Sequence, residues 1–160
     1  MHALFRTILL GTALAVGCAA VASAAGATNP LIGTWTLNLE KSKVTPGPAP
    51  KSQTRTYAQS VQGITLTVTG VAADGSAISQ QSTFNYDGKD YPISGSPNYD
   101  AISLKKVNGS TVKSEMKLKG AVVGTTTRSI SDHGKVLTLK TKAKSAKGAD
   151  IDAVLVFDKQ

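Results

Sequence analysis

Apolar and polar residues alternate with a period of two along much of this chain from Thr34 to Asp158. Successive side chains of a strand point to opposite faces of a sheet, so this is the period that a strand with one solvated face requires. Trp35, Leu37 and Leu39 alternate with Thr34, Thr36 and Asn38, and Ile64, Leu66 and Val68 alternate with Thr65, Thr67 and Thr69. Val112, Met116 and Leu118 oppose Lys113, Glu115, Lys117 and Lys119. Leu137 and Leu139 oppose Thr138, Lys140 and Lys142, while Ala153, Leu155 and Phe157 oppose Asp152 and Asp158. No comparable window beyond the N-terminal segment has a helical period, so the expected fold class is all-β.

Turn chemistry points the same way independently of hydrophobicity. Glycine beside Asn or Asp tolerates the positive φ that tight strand reversals need. Asp74-Gly75, Asp87-Gly88 and Asn108-Gly109 are strong signals of this kind, with His133-Gly134 and Lys147-Gly148 weaker ones at matching spacing. They divide the chain into runs near 34–39, 53–59, 63–71, 76–86, 89–94, 99–107, 111–119, 122–131, 135–144 and 151–158. Sequential hairpins of this kind form a meander, which must close on itself or leave two exposed edges. Closure gives an antiparallel up-and-down β-barrel of about eight to ten strands; a two-sheet sandwich is the alternative. Lys41 to Ser52 contains Pro46, Pro48 and Pro50. Prolines remove donors and fix φ, so a stiff loop is expected there, crossing one end of the barrel as a lid.

The N-terminus has the pattern of a secretory signal. Arg6 precedes an uncharged apolar stretch from Ile8 to Gly17, and Ala22-Ser23-Ala24 supplies the small residues of a cleavage site. Cleavage after Ala24 is expected, leaving residues 25–160 as a single domain in the periplasm or secreted beyond it. Val16-Gly17-Cys18 loosely fits a bacterial lipoprotein site, but Ala15 stands where Leu is usual and the chain stays apolar through Val21. Without Cys18 the mature chain has no cysteine, so its stability must come from a core. The net charge is +8. The lysines alternate along strands rather than gathering in a tract, as in Lys113, Lys117 and Lys119 or Lys140, Lys142 and Lys144. A solvated outer face that blocks edge pairing accounts for them; binding of anionic envelope components is the alternative. Export and few aromatics exclude nucleic acid as a partner.

Gly33-Thr34-Trp35, the Asn29–Asn38 segment around it, Lys41-Ser42-Lys43, Pro46–Ser52, Tyr86–Pro92 and Gly95-Ser96-Pro97 carry a resemblance. The chain resembles the calycins, the superfamily of lipocalins and fatty-acid-binding proteins, and within it small secreted bacterial lipocalin-like proteins of unknown function. The resemblance implies a lipocalin-like or fatty-acid-binding-protein-like barrel. It also implies that Arg128, on a late strand, stacks across Trp35 and closes the barrel base together with Gly33. The Thr-Asp-Tyr of lipocalins has only Asn98-Tyr99-Asp100 in its place, and the last strand, Ile151 to Phe157, has no Arg to hold a carboxylate. No particular ligand is therefore implied.

Catalysis needs a nucleophile with a base, a metal cluster or a protected carboxylate pair. His133 lies in an expected Asp132-His133-Gly134 turn, and Asp74, Asp87, Asp132 and Asp150 fall at turns where backbone hydrogen bonding explains them. No enzyme, metal or cofactor is expected. What remains is a cavity. Ile78, Gln80, Ser82, Phe84 and Tyr86 share one face of a single run, which sets polar groups between apolar ones on a face that should point inward. Buried polar groups without partners cost about 1–3 kcal/mol each, so an interior that is wet or occupied is expected, unless a bulge turns Gln80 outward. Arg55, Tyr57, Gln80, Phe84 and Tyr86 are the candidate ligand-binding residues, with Arg55 as counter-charge to an anionic group. The expected function is an exported, non-enzymatic barrel that carries or sequesters a small apolar or amphipathic molecule. The alternative is a solid-cored envelope or inhibitor module that binds anionic polymer or protein through its Lys-rich face.

Overall fold

A computed structural model describes residues 29–145 and 148–160. The signal segment with Cys18 and Ala24, and Lys147 of one expected turn, lie outside the described residues. Ten strands occupy nearly all the rest: β1 (Gly33–Thr45), β2 (Ser52–Ser60), β3 (Gly63–Val71), β4 (Ala77–Phe84), β5 (Asp87–Ser94), β6 (Ala101–Lys106), β7 (Thr111–Leu118), β8 (Ala121–Ser131), β9 (Val136–Lys144) and β10 (Asp150–Lys159). Each pairs antiparallel with its sequence neighbours, and β1 pairs with β10, so the sheet is a closed up-and-down barrel rather than a sandwich. Closure removes the edges that an open meander would expose.

One end is plugged. Residues 29–32 turn beneath the barrel, and Gly33 enters β1 at φ 131°, a conformation that favours glycine. Trp35 is fully buried and donates Nε1–H to the Leu31 carbonyl at 2.8 Å. Tyr57, Phe84, Leu137 and Phe157 are likewise excluded from solvent. Lys159, level with Trp35 across the β1–β10 ladder, lies with Nζ 5.1 Å from the ring centroid and donates to the Pro30 carbonyl at 2.8 Å.

That arrangement corrects the expected Arg128 contact. Arg128 is level with Leu139 on β9, which is level with Leu155 on β10, four residues short of Lys159. Its guanidinium lies over the Tyr57 and Tyr86 rings rather than over Trp35. The cation that closes the base over the Trp is therefore Lys159.

Two bulges interrupt the alternation, one in β1 and one in β8. In β1 the register jumps between Asn38 and Lys43 opposite Val156 and Val154, leaving Leu39 52% exposed instead of aligned with Leu37. Ser42 Oγ fills the gap, donating to the Asn38 carbonyl at 2.6 Å and accepting the Val156 N–H at 2.9 Å. A second shift, opposite Met116 and Lys117, adds Val123 to β8; Leu118, beside the turn that joins β7 to β8, is exposed. Because β1 continues to Thr45 beyond its bulge, the irregular proline segment is confined to residues 46–51.

Candidate functional site

The half of the barrel away from the Trp35 plug is hollow, enclosing a cavity of about 270 Å³. Tyr57, Phe84, Leu66 and Arg128 line it near the plugged end, and Lys144, Ile151 and Val123 lie toward the open rim. The ladder between β3 and β4 is unbroken from Ile64↔Phe84 to Val71↔Ala77, so no bulge turns Gln80 outward, and Gln80 and Phe84 both line the wall. Ser82 also faces in, with its hydroxyl donated to the Pro92 carbonyl at 2.8 Å.

Of the candidate residues, Arg55, Tyr57, Gln80 and Phe84 meet at this cavity. Tyr86 does not line it. Its ring stands edge-on to Phe84 at 5.9 Å, and its hydroxyl accepts from Arg128 Nη2 at 2.6 Å. Arg128 enters the site in a role different from the one expected of it. Its guanidinium is 5.4 Å from the Tyr57 ring and 5.5 Å from the Tyr86 ring, and the residue is only 7% exposed. Arg55 donates Nε–H to Tyr57 Oη at 3.1 Å and Nη1–H to Gln53 Oε1 at 3.2 Å. Its Cζ lies 5.7 Å from the Phe157 ring centroid.

The wall thus carries two guanidinium groups and no carboxylate. The tyrosines register that field. Burial, the largest influence on Tyr57, pushes its phenol up, but the charges and hydrogen bonds of Arg55 and Arg128 outweigh it and leave the pKa lowered. Burial dominates at Tyr99 and holds its pKa up, with Arg55 opposing. Tyr86 is raised in the same way, against Arg128.

The expected proline lid is not where the cavity is covered: no residue of 46–51 lines it. The β5–β6 connection does that instead, through Asn98 and Tyr99, and Tyr99 Oη donates to Gln80 Oε1 at 3.3 Å. Gly95 makes this possible, since at φ 76° a Cβ there would sit 1.8 Å from the Ser79 carbonyl oxygen. Sequence reasoning missed these residues and Gln53. The Asn98-Tyr99-Asp100 text, set aside for its mismatch with lipocalins, was the available signal.

His133 lies in a 3-10 turn at φ 51° and does not line the cavity, and among the described residues no three His, Cys, Asp or Glu gather as metal ligands. On the outer face Lys117 pairs with Asp90 and Lys142 with Asp152, and at the rim Lys144 pairs with Asp150, while Lys113, Lys119 and Lys140 make no ion pair among the described residues.

No protein-family model matches the chain, and no curated protein sequence does. Solved structures similar to it include zebrafish ileal bile acid-binding protein in complex with cholic acid, at 12% identity and a TM-score of 0.48, covering 82% of this chain and 99% of that one. Lobster apocrustacyanin A1 is similar at 16% identity and a TM-score of 0.42, covering 84% of this chain and 63% of that one.

Proposed function

We propose that this protein is an exported, non-enzymatic binding barrel for a small amphipathic anion, held with its apolar part among Leu66, Phe84, Ile102 and Leu104 and its charged group toward Arg55 and Arg128. The observation that carries this reading is a cavity with two arginines and no acidic residue on its wall. A guanidinium kept in a partly desolvated site without a carboxylate is costly unless something shares its charge. Here the aromatic faces and phenol oxygens share part of it, and an anionic ligand would complete the pairing. The volume of about 270 Å³ lies at the lower edge of the about 300–1,000 Å³ usual for small-molecule pockets, which favours a short ligand. Export rests on the apolar leader and the Ala22-Ser23-Ala24 pattern. The Lys-rich outer face gives a weaker basis for function, because Lys117, Lys142 and Lys144 already have acidic partners.

Calorimetric titration of the full chain with octanoate and with octanol tests the reading. Octanoate should bind at least about tenfold more tightly, and Arg55→Ala should abolish that difference while leaving octanol unaffected. Equal affinity for the two, or binding of neither, would sink it.

A further inference from the structure

A second cavity, of about 290 Å³, lies at the opposite end of the barrel, between the 29–31 segment, Tyr86 and the turn that joins β6 to β7. It is separate from the binding cavity except at one place. Val112 and Arg128 belong to both walls, so the Arg128 guanidinium forms part of the partition between them.

The chemistry of the basal cavity is one-sided. Lys106 and Arg128 both line it, and no Asp or Glu does. The Lys106 Nζ lies 4.9 Å from the Tyr86 ring centroid and makes no ion pair among the described residues. Arg128 is more than nine-tenths buried; it donates from Nη2 to Tyr86 Oη and its other side-chain partner is the Tyr57 hydroxyl. The rings of Tyr57 and Tyr86 lie near its faces, and most of its five N–H donors are left uncommitted. Asn29 adds a neutral donor: its Oδ1 accepts the Leu31 N–H at 3.1 Å and its amide partners the Tyr86 hydroxyl, which leaves one of its two amide hydrogens for a ligand. A buried cation and a solvent-exposed one on a single concave wall, with no carboxylate between them, focus a positive potential.

We infer that the basal cavity is a separate oxyanion site, taking a phosphate or sulfate group, free or on a small organic carrier. Lys106 and Arg128 are its charge partners and Asn29 a neutral donor. The donors come from three separate parts of the chain, the basal segment, β6 and β8, which suits an oxyanion with several acceptor oxygens better than a planar carboxylate.

The test is titration of the full chain at low ionic strength, where screening is weak, first with inorganic phosphate and then with glycerol phosphate. Heat and Trp35 emission are followed together, since the indole is hydrogen-bonded to Leu31 of the cavity wall. Saturable binding of either probe is expected. Inorganic phosphate binding as tightly as glycerol phosphate identifies a free anion as the ligand, and preference for glycerol phosphate identifies a carried group. Lys106→Ala should weaken binding by at least about tenfold and Lys106→Arg should restore it. Lys113→Ala, an outer-face change outside this cavity, should leave it unchanged. Absence of saturable binding of both probes overturns the inference, as does an equal loss in Lys106→Ala and Lys113→Ala, which would report net charge alone. Arg55→Ala should retain phosphate binding, so failure of the octanoate reading would be separable from failure here.

Discussion

Tyr57 sits between two guanidinium groups, and its ionisation reports on both. Burial pushes the phenol up, but Arg55 and Arg128 together stabilise the phenolate more, so the folded pKa lies below the ordinary 10.0. A depressed acid contributes stability above its unfolded pKa and loses it as pH falls through the folded value. Tyr86 and Tyr99 behave oppositely: burial raises both, so their contribution is whole below pH 10.0 and is lost as pH rises through their folded values. Ultraviolet titration of phenolate in the folded protein should therefore show Tyr57 ionising before Tyr86 and Tyr99, with the early step missing from Tyr57→Phe. An unchanged titration curve in that variant would refute the two-arginine environment. At this scale Arg55 and Tyr57 were legible, because two residues of equal parity on one strand share a face. The partner of Arg128 was not, since which side chains touch across a barrel depends on stagger, and no pattern along one strand records the stagger of its neighbours. Lys159 over Trp35 was hidden for the same reason.

Strand identity was legible wherever the period of two ran unbroken, as in β3, where Ile64, Leu66 and Val68 are all buried. It failed at the β1 bulge, because an added stretch reverses facing without changing composition, so Leu39 reads as core and is exposed; Leu118 is exposed where β7 ends at its turn. The prolines at 46, 48 and 50 likewise overstated the loop, since the Lys41–Thr45 stretch before them can still pair with β10. The β1 bulge depends on one hydroxyl. Ser42→Ala would leave the Val156 N–H without its acceptor and the Asn38 carbonyl without its donor. A loss of about 1–2 kcal/mol is expected from urea denaturation, with faster hydrogen exchange at Val156, and Ser42→Thr should recover most of it. An unperturbed midpoint in Ser42→Ala would mean that water replaces the hydroxyl at no cost. The barrel's weakest seam lies elsewhere, between β4 and β5, where the register holds only Gln81↔Ser94 and Ser82↔Ile93. The Ser82 hydroxyl on the Pro92 carbonyl and the close approach of Gly95 to Ser79 supplement those pairs.

For the molecule as a whole, the consequential residue is the one on the partition. Arg128 faces an octanoate-sized cavity on one side and the Lys106 cavity on the other. An anion in either draws the guanidinium's uncommitted donors toward itself and adds negative charge near the other site. Both effects weaken the second ligand, so the coupling is negative. Linkage makes it reciprocal: phosphate must weaken octanoate by the factor by which octanoate weakens phosphate. A factor of about five corresponds to the lower end of usual coupling free energies, near 1 kcal/mol. Octanoate isotherms at rising phosphate, against chloride at matched ionic strength, should show that loss. Lys106→Ala should abolish it while leaving octanoate affinity unchanged, because Lys106 lines only the basal cavity. If both ligands bind and neither alters the other's affinity, then Arg128 serves one site alone, and the two ends of the barrel are independent.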